Sequence, residues 1–289
     1  MPPMTQTGPV FSCEFFPPKT EDGINKLTAT SKALADVKPR FFSVTFGAGG
    51  STRDRTFETV VNLQKESGID TAPHLSCISS TRENIREMLT GYQDKNINHI
   101  VALRGDMPSG MVEAGEFRYA NELVTFIREE TGDHFHIEVA AYPEYHPQAT
   151  SPDRDLANFK RKVDAGASSA ITQYFYNPDA YFRFIDRCNS VGVDIDIVPG
   201  IMPITNYYQL ARFSDACGAE IPRWIRKRLE SYGEDLESIR TFGEEVVASL
   251  CTRLLEQGAP GLHFYTLNRA EPVLAIWSKL GLGASQHSQ

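Results

Sequence analysis

The chain carries none of the signatures that announce a metal finger, a disulfide scaffold, a membrane span or a nucleic-acid surface. Its five cysteines (Cys13, Cys77, Cys188, Cys217 and Cys251) are odd in number, widely spread and without a Cys-x-x-Cys pair. Neither a zinc site nor a disulfide framework is signalled, and reduced thiols in a cytoplasmic protein are expected. No His-Glu-x-x-His or Cys cluster occurs, so no metal is expected. No apolar run is long enough to cross a bilayer. The first ten residues, MPPMTQTGPV, lack the basic and apolar regions of a secretory signal. A net charge of −8 and a pI of about 5.4 leave no general basic face for nucleic acid. They still allow a local basic pocket for one phosphorylated cofactor. Gly-x-Ser-x-Gly is absent, no lysine stands at a strand end, and the first β-to-α turn is Pro-Pro-Lys rather than glycine-rich. Nucleophilic catalysis, Schiff-base chemistry and a dinucleotide-binding open sheet are therefore poorly signalled.

Eight short apolar runs rich in Val, Ile, Phe and Tyr are present instead, at 10–16, 41–48, 71–78, 99–106, 136–144, 169–177, 194–203 and 261–268. They read as strands buried on both faces. Helical stretches lie between them. Residues 81–95 open on a Thr start signal and place Ile85, Met88, Leu89 and Tyr92 on one face. Residues 151–167 open on Ser-Pro and end at Gly166. Eight such units in 289 residues predict an α/β fold, a (β/α)₈ barrel, as a single domain over 1–289. Residues 1–9 and 283–289 are expected to be flexible. A doubly wound sheet is the alternative. Residues 205–258, between the seventh and eighth strands, predict two or three extra helices covering one mouth of the barrel.

Barrel enzymes hold their chemistry at the carboxyl ends of the strands. Glu14, Thr45, His74, Arg104-Gly105-Asp106, Tyr142-Pro143-Glu144, His146, Gln173 and Asn268-Arg269 all fall at or near such ends. Singly, each could cap a loop; together they suggest a functional mouth. Glu14, in SCEFFPP, stands opposite Phe15 in a strand that Pro17 and Pro18 should stop at Phe16. An apolar pocket without a nearby cation would raise its pKa and make it a general acid. Asp106 could accept from a ligand's N–H groups or cap the following segment. GAGGST (47–52) reads as a phosphate cradle or a flexible loop.

The ordered set EFFPPK, FFSVTFGAGGS, APHLSC, HIVALRGD, VAAYPEYHP, NFKRKVDAGA, AITQYFYN, PGIMPI and HFYTLNR resembles bacterial-type methylenetetrahydrofolate reductases from about residue 10 to about 280. The resemblance implies a barrel flavoenzyme. NADH or NADPH would reduce a bound FAD and leave. Methylenetetrahydrofolate would then take its place and become 5-methyltetrahydrofolate, which supplies methyl groups for methionine synthesis. It further implies Glu14 as the acid that protonates folate N10, and Asp106 as a contact to flavin and pterin that stabilises the iminium cation. Gln173, Gln209, Phe213 and Arg269 match substrate contacts. Thr45, Ala48, His74, Arg104, Gly105, Asp106, Tyr119, Ala120 and Tyr142 match flavin contacts, continued by His146, Asp155, Asn158, Arg161 and Lys162. Arg161 and Lys162 read as a pyrophosphate grip or as a solvated basic helix face. The family usually self-associates, so a homo-oligomer is expected. The regulatory domain of large eukaryotic members is expected to be missing. Two other readings stay open: a folate- or flavin-binding barrel without turnover, and a pterin-dependent methyltransferase.

Overall fold

The computed structural model describes residues 9–46, 50–105 and 115–282, with only the backbone described at 50–52. The first half alternates β1 (Val10–Phe15), α1 (Glu21–Ala35), β2 (Phe41–Val44), α2 (Gly50–Ser67), β3 (Asp70–Ser76), α3 (Arg82–Gln93), β4 (His99–Leu103) and α4 (Ala120–Thr131). The second half continues with β5 (His136–Ala141), α5 (Pro152–Asp164), β6 (Ser169–Thr172), α6 (Pro178–Ser190), β7 (Asp196–Val198) and β8 (Gly200–Ile201). Three consecutive helices come next, α7 (Tyr207–Cys217), α8 (Arg223–Tyr232) and α9 (Leu236–Glu256), and then β9 (Gly261–Tyr265) and α10 (Glu271–Lys279).

All strand pairs are parallel, in the order β7-β6-β5-β4-β3-β2-β1-β9-β8. The nine strands make eight staves. Residues 194–203, expected as one strand, are broken at Pro199, which has no N–H for the ladder. The half before the proline pairs with β6 and the half after it pairs with β9, which brings the barrel round. The His263 N–H reaches across to the Pro199 carbonyl at 3.0 Å. The fold is the predicted (β/α)₈ type.

Strand alternation sorts the side chains. Cys13, Phe15, Phe42, Val44, Leu75, Ala102, Val139 and Phe264 join the main core, shared with the helices. Phe41, Ala72, Val101 and Ile171 form a separate small cluster inside the barrel. The predicted helix signals act as read: Thr81 accepts from the Asn84 N–H, and Ser151, followed by Pro152, accepts from the Arg154 N–H. The 205–258 insertion divides in two. Helix α7 lies at the mouth, where Ser214 meets the Tyr174 hydroxyl at 3.1 Å. Helix α9 packs against α6 and α10 as an ordinary member of the outer ring, so the whole insertion does not cover the mouth.

Candidate active site at the carboxyl end of the barrel

The SCEFFPP stretch ends as its prolines dictate, with β1 stopping at Phe15. The loop after β9 then holds Phe16 in place. The Phe16 N–H donates to Asn268 Oδ1 at 3.0 Å, and Asn268 Nδ2 donates to the Phe16 carbonyl at 2.9 Å. Thr266 Oγ1 donates to the Glu14 carbonyl at 2.6 Å. Leu267 and Asn268 both take the left-handed conformation, with φ of 50° and 56°, to make this turn. Two loops far apart in sequence are thereby clamped beside Glu14, and Arg269 emerges from the clamp exposed to solvent.

Glu14 points into the barrel with its side chain 18% exposed. Its surroundings differ from the expectation. The pocket is not purely apolar: Glu14 Oε2 lies 3.3 Å from His74 Nε2 on β3 and 3.7 Å from His263 Nε2 on β9. Burial pushes the carboxyl up. The His263 and His74 imidazoles, by hydrogen bonding and charge, outweigh burial and hold it down at about 2. The predicted raised pKa is therefore corrected, because barrel closure brings two histidines from distant strands onto one oxygen. Ser12 Oγ lies 2.7 Å from His263 Nδ1, so the ring is anchored from behind. With Ser12 as donor, the ring proton sits on Nε2 and faces Glu14. Neither Nε2 has a well-formed hydrogen bond, and both are buried. Neighbouring Cys13 is excluded as a nucleophile, since burial pushes its thiol up to about 12.

A cavity of about 540 Å³, lined by none of Glu14, His74 and His263, runs along the carboxyl ends of β4 and β5 toward α5. Ten of the predicted cofactor residues line it. Arg104, Gly105, Tyr119 and Ala120 stand on one wall, and Tyr142 and His146 on the next. Asp155, Asn158, Arg161 and Lys162 come from α5, where the Lys162 ammonium stands over the ring of Phe159 at 5.5 Å. Its size suits a small-molecule or cofactor site.

Lys162 Nζ donates to the Ala140 carbonyl, and burial lowers the ammonium to about 8. That corrects the solvated-face reading for Lys162, while Arg161 stays exposed and bonds Asn158 Oδ1 at 3.1 Å. Gly105 has φ of 85°, and a Cβ there would sit 1.9 Å from Ser76 Oγ, so only glycine lets the backbone line the cavity. Arg104 Nη2 donates to Gln148 Oε1 at 2.6 Å. The His146 N–H donates to Asp155 Oδ2 at 3.0 Å, and the Tyr142 and His146 rings meet at 4.6 Å.

Four further predicted residues stand at the mouth outside that cavity. The Thr45 N–H donates to the Phe15 carbonyl at 2.9 Å, the Gln173 N–H to the Ala141 carbonyl at 2.8 Å. Gln209 and Phe213 are half-buried one turn apart on α7. Asp106 and Ala48, with most of the GAGGST loop, lie outside the described residues. Sequence reasoning missed Ser12 and His263, although their alternation with Glu14 and Tyr265 marks the same interior face. It also missed Gln148 and Thr150 on the cavity wall.

A nearly closed parallel barrel with a histidine-flanked carboxyl and a cofactor-sized basic trench toward the carboxyl ends of its strands defines the class, a (β/α)₈ barrel with a ligand-sized site at the strand ends. Comparison with known proteins narrows the class. The family model described as methylenetetrahydrofolate reductase matches residues 3–281, and the chain belongs to that family of oxidoreductases of folate one-carbon metabolism. It is 42% identical over 271 residues to the 5,10-methylenetetrahydrofolate reductase of Escherichia coli, covering 94% of this chain and 90% of the relative. It is 43% identical over 272 residues to that of Pectobacterium carotovorum, with the same coverage. A plant relative, methylenetetrahydrofolate reductase (NADH) 1 of Arabidopsis thaliana, is 39% identical over 286 residues, covering 94% of this chain and 48% of the relative. Among solved structures, an uncharacterized Clostridium thermocellum protein that binds two copies of 5-methyl-5,6,7,8-tetrahydrofolic acid shares the fold. Its TM-score is 0.66 at 16% identity, over 94% of both chains.

Proposed function

We propose that the chain is a single-domain reductase that passes a hydride from NADH or NADPH, by way of bound FAD, to methylenetetrahydrofolate in two alternating half-reactions. The observation that carries this reading is that the Glu14–His74–His263 cluster and a basic cavity both stand toward the carboxyl ends of the barrel strands. The residues fit a flavin dinucleotide. The half-buried Lys162 amine and the Arg161 guanidinium suit a pyrophosphate. When bound, the flavin supplies the hydride.

The chain's own residues manage the proton. Glu14 would take up a proton as the bound folate buries it further, burial being the influence that raises its carboxyl, and would deliver that proton to folate N10. Ser12 holds the His263 ring in place for that transfer. Opening of the five-membered ring leaves a cation on the folate, which Asp106 would stabilise by charge. Gln173 would hold the pterin, Gln209 and Phe213 would contact folate and nicotinamide in turn, and Arg269 would meet the folate tail. Thr45, Ala48 and His74 would complete the flavin contacts. Self-association and a cytoplasmic location remain part of the proposal, consistent with five free cysteines and with no described helix long and apolar enough to cross a membrane.

Absorption of the purified protein tests the reading. A flavin band is expected, bleached anaerobically by NADH or NADPH and restored by methylenetetrahydrofolate. Restoration that fails after clean bleaching would leave a flavin-binding barrel without turnover. A colourless protein that takes up no FAD would overturn the proposal in favour of a flavin-free folate binder or methyltransferase.

A further inference from the structure

The opposite end of the barrel holds a second carboxylate between two histidines. His99 opens β4, His136 opens β5 beside it in register, and Glu138 lies one inward step along β5. Glu138 Oε1 is 3.3 Å from His99 Nε2 and 3.5 Å from His136 Nε2. The ligand atoms of all three lie within 4.8 Å of one another, and no other group of three such residues does so among the described residues. A second observation is independent of the cluster's composition. Glu138 is only 3% exposed, yet its Oε2 is buried with no hydrogen-bond partner. A buried carboxylate oxygen without a donor is costly, and a cation bound through both Glu138 oxygens is a ligand that would satisfy it.

The spacing has a metric meaning. Ligand atoms about 2.1 Å from a tetrahedral ion stand about 3.4 Å apart. The two His–Glu separations, 3.3 and 3.5 Å, bracket that value. A cavity of about 440 Å³ opens from the amino face onto His99 and His136, giving an entry path and room for water as a fourth ligand. Asp70 and Asp133 stand on its wall. Of the two arginines there, Arg128 is spent on the Gly166, Gly132 and Phe135 carbonyls and the Ser168 hydroxyl. Arg40 is the opposing charge. Ser169 Oγ, now 2.6 Å from His136 Nε2, would have to turn aside.

We infer that His99, His136 and Glu138 form a site for one divalent transition-metal ion of the Zn²⁺ type at the amino end of the barrel. Two imidazoles and a carboxylate suit such ions rather than Mg²⁺ or Ca²⁺, which prefer all-oxygen sets. The ion would tie β4 to β5 on the face where barrels carry stability rather than catalysis.

The test uses the full chain as purified, dialysed against chelator and titrated with Zn²⁺ alone, with bound zinc counted after desalting. One Zn²⁺ per chain is expected, with affinity at least tenfold weaker in His136→Ala and in Glu138→Gln. His134→Ala changes the same rim at a ring that meets the Ile97 carbonyl. It should keep the site, as should His74→Ala at the far end. Circular dichroism checks that each variant is folded. His136→Gln, at a partly exposed position, gives a second route should Glu138→Gln unfold. Saturating Zn²⁺ should raise the parent's melting temperature by about 5 °C and that of the His136 variants by almost nothing. No stoichiometric uptake, uptake unchanged in the His136 variants, or uptake abolished by His74→Ala would each overturn the inference.

Discussion

The barrel presents a glutamate between two histidines at both ends, and the two clusters are wired in opposite senses. At the carboxyl end, Glu14 lies 3.3 and 3.7 Å from two imidazoles, and the unsatisfied buried atoms are the imidazole nitrogens. At the amino end, Glu138 lies 3.3 and 3.5 Å from two imidazoles, and the unsatisfied atom is a carboxylate oxygen. Phe41 stands between them inside the barrel, its ring 4.1 Å from His99 and 6.0 Å from His263. Both carboxyls are held below the ordinary range: burial raises each, and the flanking histidines outweigh it. A composition count would treat the two ends as equal. What separates them is which atom is left over. Ring nitrogens facing a carboxylate at the strand ends suit proton traffic; a leftover carboxylate oxygen in a tight set suits a cation.

The sharpest way to break this comparison is to neutralise one carboxylate at a time. Glu14→Gln should lower folate turnover by about 10²–10⁴-fold, the range for losing a positioned acid, in steady-state assays. Lys162→Met should weaken FAD binding by about 10–100-fold, since it removes a charged hydrogen-bond donor, as read by flavin fluorescence titration. FAD affinity of the parent should also fall as pH rises through about 8, where the free-protein amine loses its proton. Glu138→Gln should lower unfolding free energy by about 1–3 kcal/mol in denaturant melts, as a buried network loses its charge.

The smallest effect is in acid. Burial lowers the His99 pKa below its ordinary 6.5, so below that pH the unfolded chain takes a proton that the native chain refuses, and stability falls. Glu14 is depressed from 4.5 to about 2. The stability it contributes is complete above 4.5 and is lost as pH drops through that window toward 2. Glu138 acts in the same direction. Melting temperature against pH should therefore decline in two stages, and His99→Phe should flatten the one nearest neutrality.

Much of the fold was legible because its signals are local. Apolar runs bounded by proline and glycine gave all eight staves, and Thr81 and Ser151 marked helix starts by a side chain three residues from its target. Pro199 was legible too, although its consequence, a stave split between two neighbours, depends on how the barrel closes. The environment of Glu14 was not legible. His263 reaches it only because the last strand pairs with the first, a contact 249 residues apart that no local pattern encodes. The His136-x-Glu138 alternation was visible, but reading for strand carboxyl ends looked past a cluster at the amino ends. The α5 face failed differently: a basic helix face looks the same in sequence whether solvated or lining a cavity, and only packing shows Lys162 half-buried on the cavity wall.

The most direct test is an anaerobic stopped-flow comparison of the two half-reactions in Glu14→Gln. The account predicts flavin reduction by the nicotinamide within a few-fold of the parent and reoxidation by methylenetetrahydrofolate slowed by about 10²–10⁴-fold. Reoxidation at the parent rate, or equal slowing of both halves, would contradict it.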